Sequence, residues 1–304
     1  MKVTIGIPCY NAARWLGQAI QSALDQRGIE PEVIVVDDGS TDGSVAVMRS
    51  FGERVRVIEG GHQGANHARN LVLENAGGEW VQYLDADDYL EPGKISTQLH
   101  EADHTADVIY SPVLIETAGK RETSETSPDA DIFTQWIRWH IPQTGGALWR
   151  RDSQRRVGGW REGQPCCQEH EMYLRALCGG LRFTYAPTAG AVYRIWSEET
   201  LCRKDPLLVT RIRTGLFDTL LAWLSENGKL TPEHRRAAGQ ACFEMARTWA
   251  RYSLPDAVAY HHERAEKKLI HIAGPAAPLP YRLAYRLLGF ARAERLAGAA
   301  RTRS

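Results

Sequence analysis

The sequence predicts an α/β fold with a mostly parallel central sheet, followed by an all-helical region. Three observations lead to this prediction. Over the first hundred residues, short apolar runs alternate with amphipathic stretches, and the connections between them are short. Polar and acidic residues directly follow several of the apolar runs. From Pro206 onward the pattern is helical throughout, so we expect two domains, residues 1–204 and residues 205–304.

Four strands and two helices are predicted before residue 85. The apolar runs that predict strands are residues 3–7, 33–36, 55–58 and 80–84. The amphipathic runs that predict helices are residues 12–26 and 64–76. Asn11 is a typical cap for the first helix, and Pro8 should end the first strand. The run 33–36 is apolar throughout, as expected for a strand that is buried on both faces.

The middle of the chain is less regular than its beginning. Strand candidates are residues 108–115, 147–149, 181–185 and 191–195, with a short helix near 132–139. Pro92, which follows Glu91, is typical of the first position of a helix. Four helices are predicted after Pro206, and Thr231 opens the second of them.

Composition limits the kinds of function that this chain could have. It carries 37 Lys and Arg against 37 Asp and Glu, so its overall charge does not favour a nucleic acid partner. The six cysteines contain no Cys-x-x-Cys pair, and we expect reduced thiols rather than disulfides or a zinc site. No apolar run of eighteen residues and no leader pattern is present, so we expect a cytoplasmic protein.

Three carboxylates, Asp85, Asp87 and Asp88, directly follow the fourth predicted strand. Like charges at this spacing are costly unless a cation or its ligand neutralises them. Carboxylate oxygens suit Mg²⁺ or Mn²⁺, which keep coordination positions open for phosphates. The cluster therefore predicts a divalent metal site that holds a diphosphate, with a solvated acidic turn as the alternative.

Three separate stretches should meet at one edge of the predicted sheet. Pro8 with Tyr10, then Asp38, and then residues 85–88 all lie at the carboxyl ends of strands, where parallel sheets bind their ligands. The turn at residues 8–11 lacks the Gly-x-Gly-x-x-Gly pattern of a dinucleotide site, and the sequence contains no Walker phosphate loop. These two kinds of nucleotide fold are therefore disfavoured.

Four strings in this order resemble the GT-A fold of family 2 glycosyltransferases, the inverting enzymes that use nucleotide sugars. They are residues 5–11 (IGIPCYN), 35–42 (VVDDGSTD), 64–70 (GANHARN) and 84–88 (LDADD). The resemblance covers about residues 3–200. It implies a hexosyl or N-acetylhexosaminyl transferase of polysaccharide biosynthesis. Such an enzyme would move a sugar from a nucleotide diphosphate donor, here a UDP-sugar, to a glycan or glycolipid hydroxyl with inversion.

The same resemblance implies residues that would bind the donor. Asp38 would accept a hydrogen bond from the uracil ring, with Pro8 and Tyr10 as walls around the base. Arg69 would reach toward the nucleotide or its diphosphate. The alternatives are an Asp-Gly turn for Asp38 and a solvated helix face for Arg69.

The resemblance also assigns the acidic string to a metal cofactor, Mn²⁺ or Mg²⁺. Asp87 would bind the metal directly, and Asp85 would touch the ribose or reach the metal through water. Asp88 would lie behind these two residues and would not contact the metal directly. The metal would neutralise the charge that builds on the departing nucleoside diphosphate.

A general base is implied at residues 168–175 (QEHEMYLR), which match a helix start that usually carries an acidic pair. Glu169 occupies the base position, where the family usually has Asp, and Gln168 replaces the acidic partner. Glu171 and His170 remain alternatives for the base. A glutamate that merely stabilises the helix N-terminus is the structural alternative for Glu169.

Two looser similarities complete the implied site. Gly146 lies in a string that resembles the lining of the donor-sugar pocket, where glycine lets the backbone approach a ligand. Arg194 lies in a string that resembles a loop over the diphosphate, and it could pair with phosphate or take part in a structural ion pair. We expect the tryptophans at 136, 139, 149 and 160 to be core residues rather than sugar-stacking platforms.

Two other functions stay open on the sequence alone. One is a sugar-1-phosphate nucleotidyltransferase, although the basic phosphate loop of that class is missing after the first strand. The other is a non-catalytic module that binds nucleotide sugars. It stays open because position 169 carries Glu where the family usually has the Asp that acts as base. Six arginines and one glutamate follow Pro275, so the last helix either packs in a bundle with its arginines in water or makes peripheral contact with the inner membrane face.

Overall fold

The computed structural model describes residues 1–103, 105–118, 120–126, 131–196 and 205–301, which form two compact units. The first unit contains the described residues of 1–132 and 140–200, and the second contains those of 133–139 and 201–304. The stretch 133–139 therefore groups with the C-terminal helices. The domain boundary expected after residue 204 adjoins residues 197–204, which lie outside the described part of the chain.

The first unit is built on two sheets. Its strands are β1 Lys2–Cys9, β2 Glu30–Asp37, β3 Val55–Glu59, β4 Trp80–Tyr83, β5 Tyr89–Leu90, β6 Val108–Tyr110, β7 Leu114–Thr117, β8 Lys120–Thr123, β9 Ala147–Arg150, β10 Phe183–Tyr185 and β11 Ala191–Arg194. The large sheet has the order β10-β6-β9-β4-β1-β2-β3, and β9 is its one antiparallel strand among the residues described. The small sheet has the order β5-β11-β7-β8.

Helices cover the sheets and make up most of the second unit. They are α1 Ala13–Leu24, α2 Ser44–Ser50, α3 Ala65–Asn75, α4 Lys94–Glu101, α5 Ile132–Ile137, α6 Arg151–Arg156, α7 Gln168–Cys178, α8 Pro206–Glu226, α9 Pro232–Trp249, α10 Leu254–Glu266 and α11 Leu279–Arg301. Short 3-10 turns lie at Gly52–Arg54 and Thr144–Gly146. The predicted fold class, a mostly parallel central sheet followed by a helical region, is confirmed.

Two sequence predictions about β1 and α1 were wrong. Pro8 does not end β1, which continues to Cys9. Beyond Gly6 the described pairing of β1 is with β2 alone, so a residue without an N–H is tolerated there. Asn11 does not cap α1 either, because it adopts φ 50° and its side chain accepts a hydrogen bond from the Thr41 backbone.

The cap of α1 comes instead from the loop that follows β2. The backbone N–H of Ala13 donates to the Asp42 carboxylate at 3.0 Å, and that of Ala12 donates to the Ser44 hydroxyl at 2.9 Å. These bonds satisfy amides that the first turn of a helix leaves without intrahelical partners. They also join the loops after β1 and β2, which form one side of the cleft described below.

Two further boundaries differ from the sequence predictions. The run 108–115 is not one strand, because β6 belongs to the large sheet and β7 to the small one. The helix expected at Pro92 begins only at Lys94, after Gly93 in the left-handed conformation with φ 86°. A left-handed residue cannot continue a helix, so the turn at Gly93 sets the start.

Close packing of α3 on β1 requires a glycine. A Cβ on Gly6 would lie 2.2 Å from a methyl carbon of Val72, so no larger residue fits without moving the helix. Val72 and its neighbour Ala68 are fully buried against the sheet. This approach lets α3 place Arg69 close to the carboxyl ends of β1 and β4.

The second unit is a helical bundle with well-capped helices. Thr231 and His234 form a reciprocal capping box at α9, while Asp205 and Ser253 cap α8 and α10. The helix α11 contains a non-helical residue, Gly289, with φ 75° and ψ 173°. Among the residues described, we find no helix that is both long and apolar enough to cross a bilayer.

Candidate active site

A cleft of about 340 Å³ lies in the first unit, at the carboxyl ends of β1, β2 and β4. Its lining includes Pro8, Tyr10, Asp38, Asp85 and Asp87. These five residues come from three of the strings singled out in the sequence. The structure therefore brings them together in one crevice, as parallel strands bring together the residues at their carboxyl ends.

The Asp38 carboxylate is held in place by backbone N–H groups of the loop after β3. Oδ1 accepts from the Gln63 N–H at 2.7 Å, and Oδ2 accepts from the Gly64 N–H at 2.8 Å. The residue is 5% exposed. A carboxylate oxygen has two acceptor positions, so each oxygen keeps one for a ligand donor such as a base-edge N–H.

An aromatic pair stands beside Asp38 at the mouth of the cleft. The rings of Tyr10 and His62 lie 4.9 Å apart at 43°, and Tyr10 is half exposed. His62 Nδ1 lies 3.0 Å from the Asp38 carbonyl oxygen. Sequence reasoning missed His62, because it lies in an irregular loop with φ 59° that carries no periodic signal.

Each carboxylate of the acidic string has a different hydrogen-bond donor. Asp85 Oδ1 accepts from Arg69 Nη2, Asp87 Oδ2 accepts from Trp196 Nε1, and Asp88 Oδ1 accepts from the Arg194 backbone N–H, each at 2.8 Å. Trp196 was assigned no role from the sequence, since 109 positions separate it from Asp87. The three aspartates thus have distinct surroundings although they are neighbours in the chain.

Burial and mutual repulsion raise the pKa values of two of these aspartates. Burial, followed by the charge of Asp85, raises the pKa of Asp87 above its ordinary value. Burial and the charges of Asp85 and Asp87 raise the pKa of Asp88 well above its ordinary value. The nearby Tyr193 responds to the same charges, since burial and these carboxylates raise its pKa to about 12. The acidic string therefore concentrates carboxylates in a partly desolvated part of the first unit.

Asp85 and Asp87 are the candidate ligands for a divalent metal ion. Within the described ranges, no three His, Cys, Asp or Glu side chains come together as a ligand set. Asp85 and Asp87 do line the same cleft, and each has one carboxylate oxygen outside the hydrogen bonds given above. Mg²⁺ is commonly held by one or two carboxylates together with substrate phosphates, so these residues fit such a cation.

Arg69 joins the acidic string to the start of α7. Arg69 is 4% exposed, and its guanidinium donates to Asp85, to Asn66 at 3.0 Å and to the Gln168 side chain at 2.8 Å. It also lies over the Trp160 ring at 4.7 Å. Gln168, which stands where an acidic partner was expected, therefore supplies a neutral oxygen to this arginine.

Glu169 is half-buried in the first turn of α7, and its Oε1 accepts a hydrogen bond from the Thr144 hydroxyl at 2.8 Å. Glu171, the alternative base, is 2% exposed and paired with two arginines. Its carboxylate binds Arg175 at 2.7 and 2.9 Å and Arg161 at 3.0 Å. This geometry leaves Glu169 as the better candidate of the two.

Arg194 is buried among protein groups. Its Nη2 donates to Gln18 at 2.5 Å, its Nη1 donates to the Asp87 carbonyl at 3.1 Å, and its Nε lies 3.5 Å from Glu116. The guanidinium also lies over the Tyr89 ring at 4.3 Å. These contacts favour the structural ion pair over the pairing with phosphate.

Gly146 lies in a tightly filled part of the first unit. A Cβ there would be 2.5 Å from Pro142 and 2.8 Å from the Ser111 carbonyl oxygen. Its own carbonyl accepts from the Ser111 N–H at 3.0 Å and from Gln98 at 2.9 Å. Protein atoms alone therefore account for a glycine at this position.

Known proteins match the part of the chain that supplies most residues of this cleft. The family model "Glycosyl transferase family 2" matches residues 4–158, about half of the chain. An uncharacterized glycosyltransferase of Nostoc sp. is 32% identical over 172 residues, which cover 52% of this chain and 53% of that protein. The chain therefore spans about half the length of this relative.

Two solved structures have a similar fold. TarS of S. aureus, solved in complex with UDP-GlcNAc, aligns with a TM-score of 0.60 and 18% identity over 87% of this chain and 88% of that one. The mannosyltransferase PcManGT of Pyrobaculum calidifontis, in complex with GDP-Man and Mn²⁺, aligns with a TM-score of 0.54 and 21% identity over 98% and 86%. At these identities the similarity is one of fold.

Proposed function

The chain belongs to glycosyl transferase family 2 and is a transferase, and on this premise we propose its reaction. It would transfer a sugar from a nucleoside diphosphate donor, a UDP-sugar, to a hydroxyl group of a glycan or glycolipid with inversion. The groups proposed for this reaction all belong to the first unit, and we propose that the chain after about residue 204 forms a separate helical domain.

One observation carries this proposal. A single cleft collects Tyr10 and Asp38 at one side and the carboxylates of Asp85 and Asp87 at the other. An aromatic ring with a fixed acceptor suits a nucleobase, and a pair of carboxylates suits a cation that bridges to phosphates. A nucleoside diphosphate presents these two features at its two ends.

Uridine is the base that we propose for the donor. TarS, whose fold resembles that of this chain, was solved with UDP-GlcNAc, which supports a UDP-sugar. Uracil presents one ring N–H, which a carboxylate such as Asp38 can accept. PcManGT was solved with GDP-Man, so a guanosine donor belongs in the same experiment as the competitor.

A divalent cation, Mn²⁺ or Mg²⁺, held by Asp87 with Asp85 beside it would stabilise negative charge on the departing diphosphate. Arg69 would keep Asp85 oriented through the 2.8 Å hydrogen bond. Tyr10 and Asp38 would position the base so that the diphosphate meets this end of the cleft. In this proposal Tyr10 and Asp38 bind the base, while Asp85 and Asp87 hold the cation that stabilises charge on the diphosphate.

Glu169 is the proposed general base. The Thr144 hydroxyl donates to Oε1, which orients the carboxylate and leaves Oε2 to accept the proton of the acceptor hydroxyl. The acceptor oxygen would form a bond to the anomeric carbon while the bond from that carbon to the diphosphate oxygen breaks. The diphosphate departs with the bonding electron pair, and attack from the opposite face inverts the configuration.

The test is release of nucleoside diphosphate from a panel of UDP- and GDP-sugars, with and without Mn²⁺. We expect metal-dependent turnover of one donor by the natural chain and its loss in Asp87→Asn. Asp152→Asn, on an exposed carboxylate of α6, is the matched control and should behave like the natural chain. Failure of every nucleotide sugar to bind, measured by calorimetry with metal present, would refute the proposal.

A further inference from the structure

The exposed apolar side chains of the described residues are concentrated on one helix. Of the eleven large hydrophobic residues that are exposed, five lie on α11. They are Leu279, Leu283, Leu287, Leu288 and Leu296, with exposures between 41% and 81%. Single exposed leucines need no explanation, but a group on one helix indicates a surface that binds something.

Three of these leucines form a stripe that points away from the bundle. Leu279, Leu283 and Leu287 are four residues apart, so at about 100° per residue they span about 80° of the helix surface. Tyr281 and Tyr285 face the other way and pack on Phe243, with ring centroids 5.8 and 6.1 Å apart. The leucines therefore do not belong to the core of their own unit.

The exposed charge on the described part of α11 is entirely positive. Arg282 and Arg286 lie beside the leucine stripe, both on the same side of it, and the side chains of Arg292 and Arg295 are exposed after the kink. The one acidic residue of the helix, Glu294, is 3% exposed and pairs with Arg247 at 2.6 Å. The surface is thus a leucine stripe with arginines along one side, and no described acidic residue forms an ion pair with Arg282 or Arg286.

We propose that this face of α11 binds peripherally to the surface of an anionic bilayer. Leucines that enter the boundary between headgroups and acyl chains are removed from water, and the adjacent guanidinium groups can pair with lipid phosphates. The proposed location is the cytoplasmic face of a membrane, whose anionic lipids attract basic segments.

A second copy of the same chain fits this face less well than lipid does. A two-fold contact through α11 would bring the arginines of one copy near those of the other, with no exposed acid on the described helix to offset them. A bilayer supplies the negative charge that such a contact lacks. The inference concerns the second unit and does not depend on the reaction proposed for the first.

The test is co-sedimentation of the full chain with vesicles of phosphatidylcholine alone or mixed with phosphatidylglycerol. We expect binding to the mixed vesicles, and a drop of at least about tenfold in Leu283→Ser/Leu287→Ser, because two leucines no longer enter the bilayer. Arg282→Gln/Arg286→Gln should weaken binding to the mixed vesicles and make it less sensitive to salt.

Arg235→Gln/Arg236→Gln, on exposed arginines of α9, is the matched control and should bind like the natural chain. Thermal unfolding and far-ultraviolet circular dichroism of each variant show whether it has kept its fold. The proposal is overturned if the natural chain does not sediment with mixed vesicles, or if folded leucine variants bind as well as it does. A leucine variant that instead dissociates an oligomer, seen by light scattering, would assign the face to a protein contact and overturn the proposal too.

Discussion

The indole Nε1 of Trp196 donates a hydrogen bond to Oδ2 of Asp87 over 2.8 Å. Trp196 is 55% exposed, lines the cleft and packs against Trp15 with ring centroids 6.0 Å apart. A hydrogen bond to Oδ2 and a cation on the remaining oxygen, Oδ1, compete for the negative charge of one carboxylate. If Asp87 binds the metal, metal binding and the position of the Trp196 ring are therefore coupled.

The first prediction follows from this competition. Trp196→Phe should bind Mg²⁺ in the presence of UDP about twofold to tenfold more tightly, because a hydrogen bond worth about 0.5–1.5 kcal/mol no longer draws on the carboxylate charge that attracts the cation. In the natural chain, titration with Mg²⁺ and UDP should change the tryptophan fluorescence, and this change should be much reduced in the variant. Trp223→Phe, in the second unit, should retain it. Equal Mg²⁺ affinity and an equal fluorescence change in the Trp196 variant would contradict the coupling.

The second prediction concerns the base. Glu169→Gln should lower kcat by roughly 10²- to 10⁴-fold, because the side chain can no longer accept the proton of the acceptor. Donor affinity should change by less than about twofold, since the glutamine oxygen can still accept from Thr144. Steady-state kinetics and calorimetry measure the two quantities separately.

Glu162→Gln, on an exposed carboxylate that accepts from Asn70, is the control for the base and should be fully active. Undiminished kcat in Glu169→Gln would remove Glu169 from the mechanism. A natural chain that binds a UDP-sugar tightly but never turns it over would instead be a non-catalytic binding module.

The third prediction tests the contact between Arg69 and Asp85. Arg69→Met should lower the free energy of unfolding by roughly 1–3 kcal/mol and weaken donor binding, because it leaves Asp85 and Gln168 without their donor. The figure is below that of a fully buried pair because the Asp85 side chain is 29% exposed. Urea unfolding of the single variants and of Arg69→Met/Asp85→Asn gives the coupling energy. Strictly additive effects would show that the pair contributes nothing as a pair.

The fourth prediction is a pH dependence of stability. Lys94 is 4% exposed and donates to Gln82, and burial lowers its pKa well below the ordinary 10.5. Between the lowered pKa and 10.5 the unfolded chain binds more protons than the folded one, so this group makes stability rise with pH. Below the lowered pKa, Lys94 is protonated in both the folded and the unfolded chain, so its effect on stability no longer changes with pH. The rise amounts to at most about 1.4 kcal/mol per pH unit.

Lys94→Met removes that contribution. Urea unfolding between about pH 7 and about pH 10 should therefore show a stability difference between the natural chain and the variant that changes with pH. Lys267→Met, at an exposed lysine that pairs with Glu263, should leave the pH dependence unchanged. Parallel curves for the natural chain and Lys94→Met would mean that Lys94 is not desolvated as described.

Much of the site was predictable because the sheet is mostly parallel. Apolar runs mark the strands, and the residues that follow them must lie at one edge of the sheet whatever the loops do. Tyr10, Asp38 and Asp85 could be placed near one another on this argument alone. The cap of α1 was not predictable in this way, since Asn11 and Asp42 are both good cap residues and only the folded loops decide between them.

The sequence by itself determined the four strands before residue 85, the edge at which the polar residues gather and the family to which the four strings point. Tertiary structure decided which partner each side chain has: Arg69 pairs with Asp85, Glu171 is neutralised by two arginines, and Trp196 bonds to Asp87. Hydrophobic burial follows a short periodic pattern and can be read locally. A directional hydrogen bond between residues far apart in the chain depends on how irregular loops pack, and such packing has no local signature.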